Sequence, residues 1–239
     1  MNVLAIDTST FVMGVAVIRD NSLAGEMITQ LKKNHSIRLM PAIRTLMEEV
    51  EMKTEELDRI VVAEGPGSYT GVRIGVTTAK TLAWSLGIPI TGVSSLEVMA
   101  QHGRYFNGVI SPFIDARRGQ VYTGLYRYEN GKIKCLEEDR IVLHEDWLKT
   151  LKSQKEKVLF TSSDMAKHTD EINSILGEQA VFATVTEEVS RPGELAVLGM
   201  EKEAEPNAHS FTPNYIRLAE AEANWQAANS GEQTKNKGE

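Results

Sequence analysis

The sequence repeats one order of strands, turns and helices in its two halves, and this repetition limits the folds open to it. An apolar run from Val3 to Ile6 ends at Asp7, and a second run from Val109 to Ile114 ends at Asp115, 108 positions later. Each run is followed by a polar turn and two further strand-like segments, which predicts a three-stranded antiparallel meander in each half. We therefore expect a chain built from two copies of one unit.

The segments that follow each meander also match in kind. In both halves the periodicity predicts a helix, a strand, a second helix, a further strand and a last helix. The predicted elements are helices at 36–52, 72–86, from 95, 145–152, 165–176 and 194–203, with strands at 59–63, 88–93, 158–160 and 181–183. We expect an N-terminal lobe over residues 1–106, a C-terminal lobe over 107–217 and a polar, largely disordered tail over 218–239.

Two successive βββαβα units resemble the superfamily of actin, heat-shock ATPases and sugar kinases, whose lobes are ribonuclease H-like. The predicted fold class is therefore α/β, with two actin-like (ASKHA) lobes. In that superfamily ATP binds between the lobes, at the turn after the first strand of each half. By this resemblance, the residues facing a vestigial nucleotide site would be Asp7, Thr8, Ser9, Thr10, Asp115 and Arg117.

The composition of these turns argues against a working ATP site. Asp, Ser and Thr favour any turn because their side chains bond nearby backbone groups, so the segment from Asp7 to Thr10 is equally typical of a structural turn. The second turn has Arg117 and Arg118 where small residues would let the backbone approach phosphates. We predict a degraded cleft, no catalytic residue and no cofactor bound by this chain itself.

The histidines show no metal-binding spacing. Each of the five is more than 20 residues from the next, so neither an H-x-x-x-H nor an H-E-x-x-H pair occurs. The five are His35, His102, His144, His168 and His209. We predict no metal site from this pattern, although ligands distant in the sequence could still converge in space.

Charge and cysteine usage bear on partners and compartment. The formal net charge of −7 opposes a broad, sequence-independent grip on a phosphate backbone. Cys135 is the only cysteine, which excludes an intramolecular disulfide and favours a reducing compartment. The start of the chain lacks signal-peptide features, and no apolar run approaches the roughly 20 residues that span a bilayer. We expect a cytoplasmic protein with no membrane partner.

The helix predicted after Gly65 has small residues at every fourth position, which therefore share one face. A glycine inside a helix costs about 1 kcal/mol relative to alanine, so two of them indicate another backbone close by. The preceding helix has more apolar residues than one narrow stripe needs. We predict a partner interface formed by Met40, Ile43, Met47, Gly71, Gly75, Ala79 and Ala83, so that Gly75→Leu would block pairing without unfolding the lobe. A helix pair buried within the lobe is the alternative.

Several motifs together resemble the TsaB (YeaZ) family, over nearly the whole chain up to Leu218. They are Leu4 to Thr10, His35-Ser36 ahead of Leu39-Met40-Pro41, Gly65 to Gly75, Gly92 to Leu96, Asp115-Ala116-Arg117 and Pro213 to Arg217. The run from Gly65 to Gly75 is the most specific of these. It departs from the usual family residues only at Tyr69 and Val72, both conservatively.

The resemblance implies a non-catalytic scaffold in the bacterial machinery that makes threonylcarbamoyladenosine next to the anticodon of tRNAs reading codons that begin with adenine. The catalytic subunit, TsaD, would pair with helices of the N-terminal lobe, and the small ATPase TsaE would join them. ATP would be bound mainly by these partners, and tRNA would be contacted only through the complex. A homodimer of the isolated chain and residual nucleotide binding stay open.

Two other classes of function stay open on the sequence. An ATP-dependent kinase or phosphatase, or a metallopeptidase, would show metal-dependent turnover by the purified chain alone. A stand-alone tRNA-binding module would be retained on tRNA without any partner, which the acidic balance disfavours.

Overall fold

The computed structural model describes residues 1–31 and 34–216, and within them the chain forms two five-stranded sheets. The strands of the first sheet are β1 (Val3–Asp7), β2 (Val12–Arg19), β3 (Ser22–Gln30), β4 (Arg59–Gly65) and β5 (Ile90–Ser94). They lie in the order β3-β2-β1-β4-β5, with β1, β2 and β3 antiparallel and β1, β4 and β5 parallel. The predicted tail at 218–239 lies outside the described residues.

The second sheet has the same plan. Its strands are β6 (Val109–Arg117), β7 (Gln120–Glu129), β8 (Lys132–Leu143), β9 (Val158–Thr161) and β10 (Ala180–Phe182). The order is β10-β9-β6-β7-β8, and β6 pairs antiparallel with β7 and parallel with β9. The first strand of each unit therefore has the same neighbours in both sheets, which confirms the predicted α/β fold with two actin-like units.

Six α-helices connect or cover these strands in the described part of the chain. They are α1 (His35–Glu49), α2 (Tyr69–Leu86), α3 (Ser95–Ala100), α4 (His144–Gln154), α5 (Thr169–Leu176) and α6 (Pro192–Glu201). The helix predicted from 165 begins later, because residues 165–167 form a 3₁₀ turn. Within the two described ranges, no helix has the length and apolar character needed to cross a bilayer.

The helices and sheets alternate in layers, because side chains on successive strand residues point to opposite faces. α1 and α2 cover one face of the first sheet, over Leu4 and Ile6, whereas α6 covers the other face over Val3 and Ala5. α3 packs against the inner face of the second sheet, and α4 and α5 pack against its outer face. The two sheets thus enclose a shared inner layer.

The position of α6 differs from its expected place in the lobe spanning 107–217. Leu195 and Ala196 are fully buried against the first sheet, and Arg59 Nη1 donates to Gly199 O at 2.9 Å. A Cβ added at Gly199 would lie 2.3 Å from Val61 Cγ1, so the helix backbone approaches β4 closely. The last helix of the second unit therefore packs against the first sheet, which periodicity alone cannot indicate. The division of the chain into lobes stays a prediction.

The close contact between α6 and β4 predicts that a larger side chain at Gly199 is destabilising. We expect Gly199→Leu to lower the free energy of unfolding by about 2 kcal/mol, because the helix must move away from Val61. Urea denaturation measures the difference. Val197→Leu is the matched control, because Val197 is 45% exposed on the same helix, and its effect should stay within about 0.5 kcal/mol. Equal stability of the two variants would contradict this packing.

Candidate functional site

A cleft of about 700 Å³ opens between the two sheets, at the ends of β1, β6 and β9. Its walls are the turn after β1, the first turns of α1 and α2, the turn after β6 and the segment after β9. This is where the superfamily resemblance predicts a nucleotide. Of the six residues predicted to face it, Thr10, Asp115 and Arg117 line the cleft. Asp7, Thr8 and Ser9 are buried beside it.

The buried residues of the β1–β2 turn bond to other parts of the chain. Asp7 Oδ1 accepts from the backbone and hydroxyl of Ser9 at 2.9 and 2.7 Å, and Asp7 Oδ2 accepts from Ser190 Oγ at 2.6 Å. Thr8 Oγ1 donates to Gly71 O at 2.7 Å. These polar groups therefore stabilise the turn and fasten it to α2 and to the segment before α6. From the sequence, the residue types in this turn were compatible with either a ligand site or a structural turn.

The glycine-rich segment after β4 lies directly on this turn. Ser68 N donates to Ser9 O at 2.7 Å. A Cβ added at Gly67 would lie 2.2 Å from Ser9 O, and one added at Gly71 would lie 2.2 Å from Thr8 O. Even a methyl group does not fit between the two backbones. In the first unit, the chain's own backbone therefore occupies the space beside the turn.

The β6–β7 turn presents charged groups that are already paired. Lys167 Nζ donates to Asp115 Oδ2 at 3.0 Å and to Asp164 Oδ1 at 2.6 Å. Burial alone would raise the pKa of Asp115, but the hydrogen bonds from Lys167 and from Arg117 N hold it below its usual range. Arg117 has a φ of 66°, within the left-handed region. This turn is stabilised as an ion-pair cluster, in which one lysine bridges the two carboxylates.

The cleft is lined by hydroxyls and charged groups, so it can accept a polar molecule. Beyond the paired carboxylates, His35 Nε2 lies 2.9 Å from Thr10 O, and Ser68 Oγ accepts from Gly71 N at 3.3 Å. The hydroxyls of Thr10 and Ser68 accept from Val12 N and Gly71 N, and neither has a hydrogen bond to a histidine or carboxylate base of the kind that activates a nucleophile.

The small residues of α2 face their own sheet, so the prediction that they form a partner interface is wrong. Gly71, Gly75, Ala79 and Ala83 are all buried in the single chain, and Ala79 and Ala83 are fully inaccessible. A Cβ at Gly75 would lie 2.5 Å from Thr8 Oγ1 and 3.7 Å from Val62 Cγ2. The glycines of α2 predicted that another backbone lies close to the helix, and that backbone belongs to the first sheet and the β1–β2 turn. The alternative of a buried helix face is therefore correct for α2.

The predicted residues of α1 divide between core and surface. Ile43 and Met47 are buried beneath the helix pair, whereas Met40 is 47% exposed. Together with Leu82 and Leu86 of α2, they line an apolar groove of about 540 Å³. Three further apolar side chains are exposed on or beside these helices, namely Ile37, Tyr69 and Trp84. An exposed apolar surface therefore exists here, and it includes Trp84, which the sequence did not single out.

A contact that sequence reasoning missed joins two distant motifs. Asn214 N donates to Glu64 O at 2.9 Å, and the ring centroids of Tyr69 and Tyr215 are 5.2 Å apart. A Cβ at Gly65, where φ is +108°, would lie 2.8 Å from Asn214 O. The motif at 213–217 therefore packs against the run at 65–75, although its last residue, Arg217, lies outside the described residues. The only signal in the sequence was that both runs are distinctive.

Comparison with known proteins gives consistent matches across the chain. The sequence profile of the family described as "TsaD: tRNA N6-adenosine threonylcarbamoyltransferase" matches residues 24–225. The tRNA threonylcarbamoyladenosine biosynthesis protein TsaB of Bacillus subtilis (strain 168) is 53% identical over 225 residues, which cover 94% of this chain and 98% of that protein. The protein of the same name from Escherichia coli (strain K12) is 34% identical over 145 residues, covering 60% of this chain and 62% of its own.

Solved structures show the same fold. YeaZ from Pseudomonas aeruginosa superimposes with a TM-score of 0.73 at 22% identity, covering 90% of this chain and 99% of its own. A protein from the same organism described as having similarity to peptidase YEAZ gives a TM-score of 0.76 at 24% identity and the same coverage. At these identities the likeness concerns the arrangement of strands and helices.

The sequence predicted that Gly75→Leu would leave the lobe folded. Because Gly75 is buried, we now expect this substitution to destabilise the fold. Thr8 Oγ1 would have to move away from the new side chain, although it is held by its bond to Gly71 O. We expect Gly75→Leu to lower the free energy of unfolding by about 2 to 3 kcal/mol in urea denaturation. Thr77→Leu, at an exposed position of the same helix, should change it by less than about 0.5 kcal/mol. If Gly75→Leu were as stable as Thr77→Leu, the small residues could not be packed against the sheet.

Proposed function

The chain belongs to the TsaB family of tRNA threonylcarbamoyladenosine biosynthesis proteins, and on this basis we propose that it is a non-catalytic scaffold and activator of a TsaD-like catalytic paralogue. The modification would be the threonylcarbamoyl group on N6 of the adenosine next to the anticodon, in tRNAs reading codons that begin with adenine. This chain would hold the paralogue in a competent conformation. It would supply no reacting group itself.

One observation carries the non-catalytic part of the proposal. The backbone at Gly67 and Gly71 lies against Ser9 O and Thr8 O, with no room for even a methyl group. In a working ATPase of this superfamily, the corresponding turn must stay open so that its backbone can approach a phosphate closely. A chain whose turn is packed on one side against its own backbone is suited to a supporting role.

The apolar surface on α1 and α2 supports pairing with the paralogue. Ile37 is 70% exposed, Met40 47% and Trp84 64%, and the groove between the helices is lined almost entirely by apolar atoms. Exposed apolar surface of this kind marks contact sites in soluble proteins. The match to the TsaD family profile extends over both helices, so the expected occupant is a chain with the same helix pair.

We also propose how tRNA, a TsaE-like ATPase and a second copy of this chain relate to the complex. The net charge of −7 supports tRNA contact through the assembly and not through this chain alone. A TsaE-like ATPase would supply ATP hydrolysis, with ATP bound mainly by the partners. The isolated chain could pair with itself through the same apolar surface, in competition with the paralogue.

A substitution at Met40 tests whether α1 and α2 form the partner interface, because Met40 is exposed and its replacement need not disturb the core. We expect Met40→Glu to weaken binding to the purified TsaD-like paralogue about tenfold or more, since a carboxylate would be desolvated against an apolar surface. Val197→Glu is the matched control, because Val197 is 45% exposed on α6, away from α1 and α2. Calorimetric titration gives both affinities. Unchanged binding of Met40→Glu, with normal circular dichroism, would contradict this interface.

A reconstituted modification assay with single omissions tests the supporting role. We expect no threonylcarbamoyladenosine without either this chain or the paralogue, and no turnover of ATP or peptide by this chain alone. Formation of the modified nucleoside is measured by mass spectrometry of digested tRNA. Full modification without this chain would overturn the proposal, and so would metal-dependent turnover by the chain alone.

A further inference from the structure

Two buried histidines and a glutamate converge in the second unit, outside the lining of the cleft. His144 begins α4, His168 immediately precedes α5, and Glu171 lies in the first turn of α5. His144 Nδ1 lies 2.9 Å from Glu171 Oε2 and 3.0 Å from His168 Nδ1, and His168 Nδ1 lies 3.8 Å from Glu171 Oε2. Among the described residues, these three side chains form the one group of three or more His, Cys, Asp or Glu residues whose ligand atoms all lie within 4.8 Å of one another.

The contacts of His144 Nδ1 do not fit an ordinary hydrogen-bond network. An imidazole nitrogen has either one hydrogen or one lone pair, directed outward in the plane of the ring. That single group must serve both Glu171 Oε2 and His168 Nδ1, at nearly equal distances. A cation at the centre of the three atoms resolves this competition, because it accepts one lone pair from each of them.

The separations of the three atoms match those around a small tetrahedral ion. Bonds of about 2.0–2.2 Å at tetrahedral angles put neighbouring ligand atoms about 3.3–3.6 Å apart. The observed separations of 2.9, 3.0 and 3.8 Å bracket this range. The three atoms are therefore already close to the spacing that one central ion requires.

The surroundings also suit a metal site. His144 is 1% and His168 8% exposed, and the ring of Phe113 packs against both imidazoles at centroid distances of 5.2 Å. The Glu171 side chain is 40% exposed, so an ion could enter from that side and keep a water ligand there.

We propose that His144, His168 and Glu171 bind a divalent transition-metal ion of the Zn²⁺ type, with water as the fourth ligand. Two imidazoles and one carboxylate are a typical Zn²⁺ donor set, whereas Mg²⁺ and Ca²⁺ prefer oxygen ligands alone. Because the ligands come from α4 and from the start of α5, the ion would fasten these helices to each other. This site goes beyond the proposed scaffold role and does not depend on it.

The experiment uses the full chain, freed of metal by dialysis against EDTA and then titrated with ZnCl₂ in a calorimeter. We expect one equivalent of Zn²⁺ to bind and the melting temperature to rise in its presence, because the ion binds the folded chain preferentially. Co²⁺ in the same site should give the visible absorption bands of a tetrahedral complex. Absence of stoichiometric binding, or a Co²⁺ spectrum typical of six oxygen ligands, would overturn the proposal.

Three variants distinguish this site from adventitious binding at surface histidines. We expect Glu171→Gln and His168→Ala each to weaken Zn²⁺ binding at least tenfold and to abolish the thermal shift. Glu171→Gln provides the test if His168→Ala fails to fold, because the Glu171 side chain is partly exposed and glutamine keeps its shape. His209→Ala, which removes an exposed histidine outside the cluster, should bind as the natural chain does. Equal affinity in all three variants would refute the site.

Discussion

The close approach of α2 to the β1–β2 turn is the constraint on which the first unit depends. Gly67 and Gly71 bring their backbone against Ser9 O and Thr8 O, and Gly75 leaves just enough space for the Thr8 hydroxyl. This contact requires residues without side chains, whatever the cost in helix propensity. It stabilises the turn and holds it against the start of α2.

The same constraint determines which residues remain for a partner. Because the small residues of α2 are packed against the sheet, the apolar side chains left exposed on the helix pair are large ones such as Ile37, Met40 and Trp84, which lie among polar residues. A partner would therefore contact large apolar side chains on these helices, and not the helix backbone at the glycines. Partner specificity would therefore reside in shape and apolar area on α1 and α2.

The second unit keeps the plan of the first but uses its turns differently. Lys167 bridges Asp115 and Asp164, and next to this ion-pair cluster His144, His168 and Glu171 meet beside Phe113. Duplication thus preserved the order of strands, while the side chains at equivalent places came to serve different purposes. In the first unit, close backbone contacts stabilise the turn after β1, whereas in the second unit an ion-pair cluster stabilises the turn after β6.

The sequence by itself determined the order of elements, the duplication and the family, because local periodicity, turn residues and the run from Gly65 to Gly75 do not depend on distant contacts. It also indicated that the glycines of α2 need a neighbouring backbone. Only the tertiary structure decided which backbone this is, that α6 crosses to the first sheet, and that His144 and His168 converge. The physical reason is that periodicity shows which face of an element is buried, whereas the partner that buries it depends on how the whole chain packs.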